Sequence, residues 1–356
     1  MPNNPTNSVP LEQRIRASWR TRAIAAGWCV GTQIFLAGCA AGMPLALNAA
    51  WLAAFGALPF CAWLVLRCRR HLCAAQHCDK LSRLGLLLLT ISLLSSAAFA
   101  CTSLVGFAAQ TLVQQSRPLW TEAAALLFVL LCALGGGTGT ARLCFALRFA
   151  VASLVLGLSL TSVPMRIPAG LFPIWGAGAT PLGLAALSML FGAVPSLMLM
   201  LPSPELAEIR AQPSVPSAGF FLMRVIPGAL IGILLLFLTS TCSTYESIAR
   251  SSEWGARLRM AAGNQPHEGV LPMILILTKL TAMVLLAANM VCAAQQALGM
   301  AIPALKRKEL FVAGILLAAA LAIPAIFGDA PLLITTPLIA VPAALSAWIL
   351  GRGRSA

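Results

Sequence analysis

The stretch Gly31-Thr-Gln-Ile-Phe-Leu-Ala-Gly-Cys-Ala-Ala-Gly-Met-Pro44 (GTQIFLAGCAAGMP) admits two readings, and the fold turns on the choice between them. Leu36-Ala37-Gly38-Cys39 has the small-residue form of a bacterial lipoprotein cleavage site. Arg14, Arg16, Arg20 and Arg22 upstream, with an apolar run from Ala23, complete such a signal. A lipoprotein cysteine, however, emerges at the outer surface and is followed by polar residues. Here Ala40 to Leu47 stays apolar and runs into the next apolar segment at Ala49. At the helical rise, Cys39 lies roughly 24 Å past Ala23, still inside the hydrocarbon. The stretch therefore reads as part of a retained membrane helix. Gly27, Gly31, Gly38 and Gly42 weaken that helix, and Thr32 and Gln33 put polar groups at mid-depth. A broken helix is tolerated in a membrane where its backbone faces a ligand or cavity. The same glycines would equally serve close helix packing.

Composition favours the membrane throughout. Of 356 residues, 59% are hydrophobic and only 10% charged, and the mean hydropathy is +0.89. Soluble domains carry about 25% charged residues. No polar segment is long enough to bury a core of its own. The net charge of +14 has no basic domain to concentrate it, so a nucleic-acid partner is not expected. Retention of Lys and Arg on the cytoplasmic side accounts for it. The eleven cysteines lie mostly in apolar runs and read as small packing residues, not as a disulfide framework.

Ten segments are long and apolar enough to span: roughly 23–47, 48–66, 84–108, 121–140, 145–164, 183–202, 219–241, 270–295, 310–327 and 331–350. With the N-terminus inside, 18 of the 24 Lys and Arg fall on the cytoplasmic side. Arg117, Arg166, Arg250, Arg257 and Arg259 fall outside, beside Glu122, Glu246, Glu253, Glu268 and Asp329. This asymmetry predicts cytoplasmic tails at 1–22 and 351–356 around one transmembrane domain, 23–350. Residues 165–182 (MRIPAGLFPIWGAGATPL) are expected to lie in the interface. Residues 243–268 read either as a surface-lying amphipathic helix or as a solvated loop.

The sixth segment carries its own irregularity, Phe191-Gly-Ala-Val-Pro-Ser196, where Pro195 lacks an amide donor. Breaks in the first helix of each five-helix half point to inverted repeats around a central site. The run GTQIFLAGCAAGMPLALNAAWLAAFGALPFCAWLVL resembles the first two helices of spore-germination receptor permease subunits (GerAB type). LFPIWGAGATPL at 171–182 is similar to their external Pro–Gly segment. The resemblance implies an all-α integral membrane protein with the five-plus-five inverted repeat of the amino acid–polyamine–organocation (APC, LeuT-like) superfamily and interrupted helices 1 and 6. The family's proline after the first break is displaced here to Pro44. The resemblance implies ligand-lining roles for Gly31, Thr32, Gln33, Gly192 and Ser196.

Lys279, several residues inside the eighth segment, either faces protein as a buried cation, as the resemblance allows, or snorkels to the interface. Arg148 reads as a cytoplasmic anchor. No acidic residue sits deep in a span, so neither a carboxylate proton relay nor a two-carboxylate hydrolase is supported. Gly135-Gly-Gly-Thr-Gly-Thr140 lacks the Gly-Lys-Ser/Thr ending of a phosphate loop and reads as the flexible exit of the fourth helix. Cys68, His71, Cys73, His77 and Cys78 suit zinc by type, but their spacing follows no finger or ribbon pattern. No catalytic residue, cofactor or metal is therefore expected. The expected function is a permease-like receptor subunit in the inner spore membrane, binding a small solute, an amino acid by the resemblance. It would act with a partner membrane subunit and a lipoprotein subunit. A self-sufficient amino acid permease and a ligand-free membrane scaffold are the alternatives.

Overall fold

A computed structural model describes residues 11–39, 43–72, 80–111, 118–161, 174, 178–197, 217–241, 270–305, 308, 311–319, 341–342, 345–346 and 349. Every regular element among them is helical: α1 (Leu11–Ala37), α2 (Met43–Ala46), α3 (Ala50–Leu72), α4 (Lys80–Thr111) and α5 (Pro118–Leu134). There follow α6 (Gly136–Thr161), α7 (Ala179–Leu197), α8 (Ala218–Thr241) and α9 (Val270–Ala301). Residues 311–319 form a further helix, α10.

Arg83–Val105, Gly219–Leu238 and Leu280–Ala301 are long and apolar enough to cross a membrane, and the bent α5–α6 pair supplies a fourth candidate. The regular structure among the described residues is thus all helical, with membrane-spanning character. Large apolar side chains point outward, Met223 at 80% exposed and Trp120 at 68% among them. The interior mixes small residues, including Ala287, Ala288, Ala294 and Ala297 of α9, with large ones such as Leu89, Leu93, Met189 and Met283. That distribution suits a lipid surround, where close backbone approach replaces the hydrophobic drive for helix association. Several threonine hydroxyls are satisfied inside their own helices, as in Thr90 Oγ1 donating to Leu86 O at 2.9 Å.

α1 is the hub and packs against α6, α7, α8 and α9. α9 in turn packs on α4, α5 and α6, and α3 packs on α7 and α8. Two sequence-based expectations need correction. α1 is unbroken through Gly31–Gln33, and the Thr32 hydroxyl is accommodated within the helix by donating to Trp28 O at 3.0 Å. It departs from α geometry later, in a wider turn at Gly38–Cys39. From there α2 and a 3-10 turn at Leu47–Ala49, with Leu47 at φ +53°, lead into α3. α7 likewise continues to Leu197 without interruption at Gly192–Ser196. Among the described residues a sharp break lies at the glycine run expected to end the fourth helix, where α5 and α6 meet at 100° and Gly136 takes φ +70°. A left-handed residue there ends one helix and redirects the next, and glycine adopts it without a Cβ penalty.

The non-α turns at 38–39 and 47–49 are lodged in protein. Ala46, Asn48 and Ala49 are buried and Cys39 packs against the main core. Trp51, opening α3, meets Phe237 of α8 edge to face at 5.2 Å.

Candidate functional site

The five expected ligand-lining positions fall on two helices in mutual contact, α1 and α7. Their surroundings differ sharply. Gly31 faces the backbone of α8: a Cβ placed on it would meet the Gly228 carbonyl, 2.8 Å from its carbon. A Cβ on Gly232 would lie 2.9 Å from the Gly31 carbonyl carbon, and one on Gly228 would lie 3.0 Å from Gly27 Cα. Gly27-x3-Gly31 and Gly228-x3-Gly232 are therefore two small-residue motifs interlocked face to face, the arrangement that lets membrane helices touch through their backbones. Gly31 is filled by protein, not opened to a solute.

Thr32 is half-buried and its hydroxyl bonds its own helix. Gln33 is 0% exposed, and neither Oε1 nor Nε2 has a hydrogen-bond partner. Ser196 is also 0% exposed, with Oγ unpartnered. Ser96 on α4 shares that condition, and α4 also contacts α7. Leaving a carboxamide buried and unpaired costs on the order of 1–3 kcal/mol. Natural interiors rarely retain such groups without a use for them. Gly192 lies within α7, and the environment of its Cα falls outside the described contacts. The Lys279 side chain also lies outside the described residues, although its backbone belongs to α9. Cys73, His77 and Cys78 lie outside them as well, as does 243–268.

Basic groups from separate stretches of chain converge around the N-terminal part of α1. Arg148 stacks on Phe145 at 3.4 Å from the ring centroid, and its Nη1 donates to Phe145 O. Arg20 sits 5.5 Å from the same ring. Trp19, beside it, meets Phe221 of α8 edge to face at 5.7 Å. Arg224, one turn along α8, stacks on Phe220 at 3.6 Å and donates from Nη1 to Phe220 O at 2.7 Å. Arginine over an aromatic face is attracted by the ring quadrupole while keeping its head group near water. Arg148, expected as an anchor, is thus held by Phe145 three residues before it.

Two features were not anticipated from the sequence. One is the partner of the α1 glycines, α8, for which the matching i, i+4 spacing of Gly228 and Gly232 was the available signal. The other is a cavity of about 30 Å³ between α1, α6 and α9, with Arg22, Gly137, Asn289 and Gln296 on its walls. Arg22 is only 6% exposed. Asn289 is anchored by Nδ2, which donates to Leu285 O at 2.7 Å and lies 3.4 Å from Cys144 Sγ. One turn on, Cys292 Sγ donates to Ala133 O at 3.5 Å, capping a carbonyl at the end of α5.

Among the described residues no three His, Cys, Asp or Glu side chains are grouped to hold a metal ion. Comparison with known protein families returns no match, and comparison with curated proteins returns none either.

Proposed function

We propose that this chain is the permease-like membrane subunit of a spore germinant receptor, holding a small solute, an amino acid, among α1, α7 and their neighbours. The reading includes ten spans with a five-plus-five inverted repeat, both termini in the cytoplasm, and placement in the inner spore membrane. It also includes a partner membrane subunit and a lipoprotein subunit. One observation carries the binding role: the Gln33 carboxamide is sealed in the bundle with both polar atoms unpartnered. A carboxamide offers donors and an acceptor together, which suits a solute bearing both an ammonium and a carboxylate. Ser196 adds a hydroxyl on the facing helix. Gly31 contributes indirectly, by letting α8 close against α1.

Thermal unfolding of the purified protein in nanodiscs, screened against the twenty amino acids, tests this. At least one should raise the Tm of the wild type and leave that of Gln33→Leu unmoved. Without ligand, Gln33→Leu should be more stable by about 1–3 kcal/mol, since the unpaired amide is gone. A screen in which no amino acid shifts the Tm, or in which Gln33→Leu responds like wild type, refutes the assignment.

A further inference from the structure

We propose that Arg20 and Arg224 together hold the phosphodiester of an anionic phospholipid, whose acyl chain lies along the outward face of α8. Neither residue belongs to the solute site assigned above, so the two assignments stand or fall separately. The register of α1 against α8 sets up the pair. A Cβ on Gly27 would lie 2.9 Å from Val225 Cα, and one on Gly31 would lie 2.8 Å from the Gly228 carbonyl carbon, so the two helices run parallel. Trp19 against Phe221 continues that pairing back to the level of Arg20. Arg224 is rooted one turn beyond Phe220, but its side chain leans toward the start of α8. It stacks on Phe220 at 3.6 Å and donates from Nη1 to Phe220 O at 2.7 Å. That lean returns its guanidinium to the level of Arg20. The two charges are close enough to repel each other.

Two like charges brought together by separate helices are relieved by an anion between them. Arg20 is exposed and lies 5.5 Å from the Phe145 ring centroid. Arg148 is not counted as a ligand, since it is already engaged with Phe145. A guanidinium carries a fork of N–H donors, so one bond to Phe220 O leaves Arg224 others for phosphate oxygens. Basic sites between membrane helices take anionic headgroups in this way. The surface beyond the pair decides between a lipid and a soluble anion. Met223, Pro227 and Leu230 are all exposed and share one face of α8 at i, i+4 and i+7. They extend roughly 10 Å along the helix, within the Gly219–Leu238 candidate span. A soluble anion gains nothing from an apolar track beside the charges, whereas an acyl chain packs along it.

The test titrates the full chain in detergent with dioleoylphosphatidylglycerol and reads the bound fraction by native mass spectrometry. The wild type should bind this lipid at least about tenfold more tightly than dioleoylphosphatidylcholine, whose headgroup has no net charge. Arg20→Gln and Arg224→Gln should each weaken binding about tenfold, the size expected for losing one charge-assisted hydrogen bond. Arg20 is exposed, so Arg20→Gln keeps the test decisive if Arg224→Gln does not fold. A double variant, Arg83→Gln with Arg142→Gln, removes two other exposed charges and should bind like the wild type. Glycerophosphoglycerol, the same headgroup without acyl chains, should leave the lipid bound at tenfold excess. Equal binding of the two lipids overturns the inference, as does unchanged affinity in either single variant. So does an equal loss in the double variant, which would make the attraction one of overall charge. Displacement by glycerophosphoglycerol also overturns it, assigning the pair to a soluble phosphodiester.

Discussion

The contact between α1 and α8 makes Gly31→Ala the most informative single change in this protein. The new Cβ would stand 2.8 Å from the Gly228 carbonyl carbon, which is main chain and cannot swing aside. Carbon atoms rest about 3.5–4.0 Å apart, so clearing that carbon alone parts the two helices by roughly 0.7–1.2 Å, a lower bound because the carbonyl oxygen lies nearer still. A gap of that size forfeits about a quarter to a half of each pair's 0.1–0.2 kcal/mol of attraction. Over on the order of 40 atom pairs the loss is about 2 kcal/mol, within the 1–3 kcal/mol typical of overpacking. Alanine's better helix propensity returns about 0.5–1 kcal/mol, leaving a net destabilisation of about 1–2 kcal/mol. Gly228→Ala should behave similarly, because its Cβ would lie 3.0 Å from Gly27 Cα. The double variant should lose less than the sum, since helices already parted accommodate the second methyl. Gly56→Ala on α3 is the control, with nothing within 4 Å of its Cβ position. Unfolding in mixed micelles, followed through the eight tryptophans, measures all four. If Gly31→Ala proved as stable as Gly56→Ala, the interlock would not hold α1 to α8.

Three further outcomes are expected. Gly136→Ala should cost about 1–2 kcal/mol in the same unfolding assay, because φ +70° places its Cβ against the following carbonyl. Gly139→Ala, with open space around it, should be neutral or stabilising. A variant retaining Cys73 as its single cysteine should resist an impermeant thiol reagent in intact cells and react in inverted vesicles, as the basic asymmetry requires. Labelling from outside would reverse the topology. Intact-mass measurement should find the N-terminal 38 residues attached and Cys39 unlipidated, since α1 carries core residues from Trp19 to Ala37 that cleavage would remove. A mature chain beginning at a lipidated Cys39 would overturn this.

Membrane embedding and helical class were decided by the sequence alone, because a charged fraction of 10% and long apolar runs leave few other ways to satisfy a backbone. The same runs misplaced the breaks. Gly31–Gln33 and Gly192–Ser196 look like interruptions one residue at a time. An isolated glycine, a threonine bonding its own helix, or a proline does not stop a helix whose neighbours brace it. Gly135–Gly137 does stop one, because Gly136 adopts a left-handed conformation there. Gln33 and Ser196 were legible as polar residues in apolar segments, but not as sealed and unpartnered, which depends on what packs over them. In water, the polar face of a helix marks its outside. In lipid, outside and core are both apolar, so periodicity cannot tell which face turns inward or which glycine meets which. Only the fit of α1 against α8 decided that Gly27 and Gly31 serve packing, and only the meeting of α1, α6 and α9 placed Arg22 at a cavity wall.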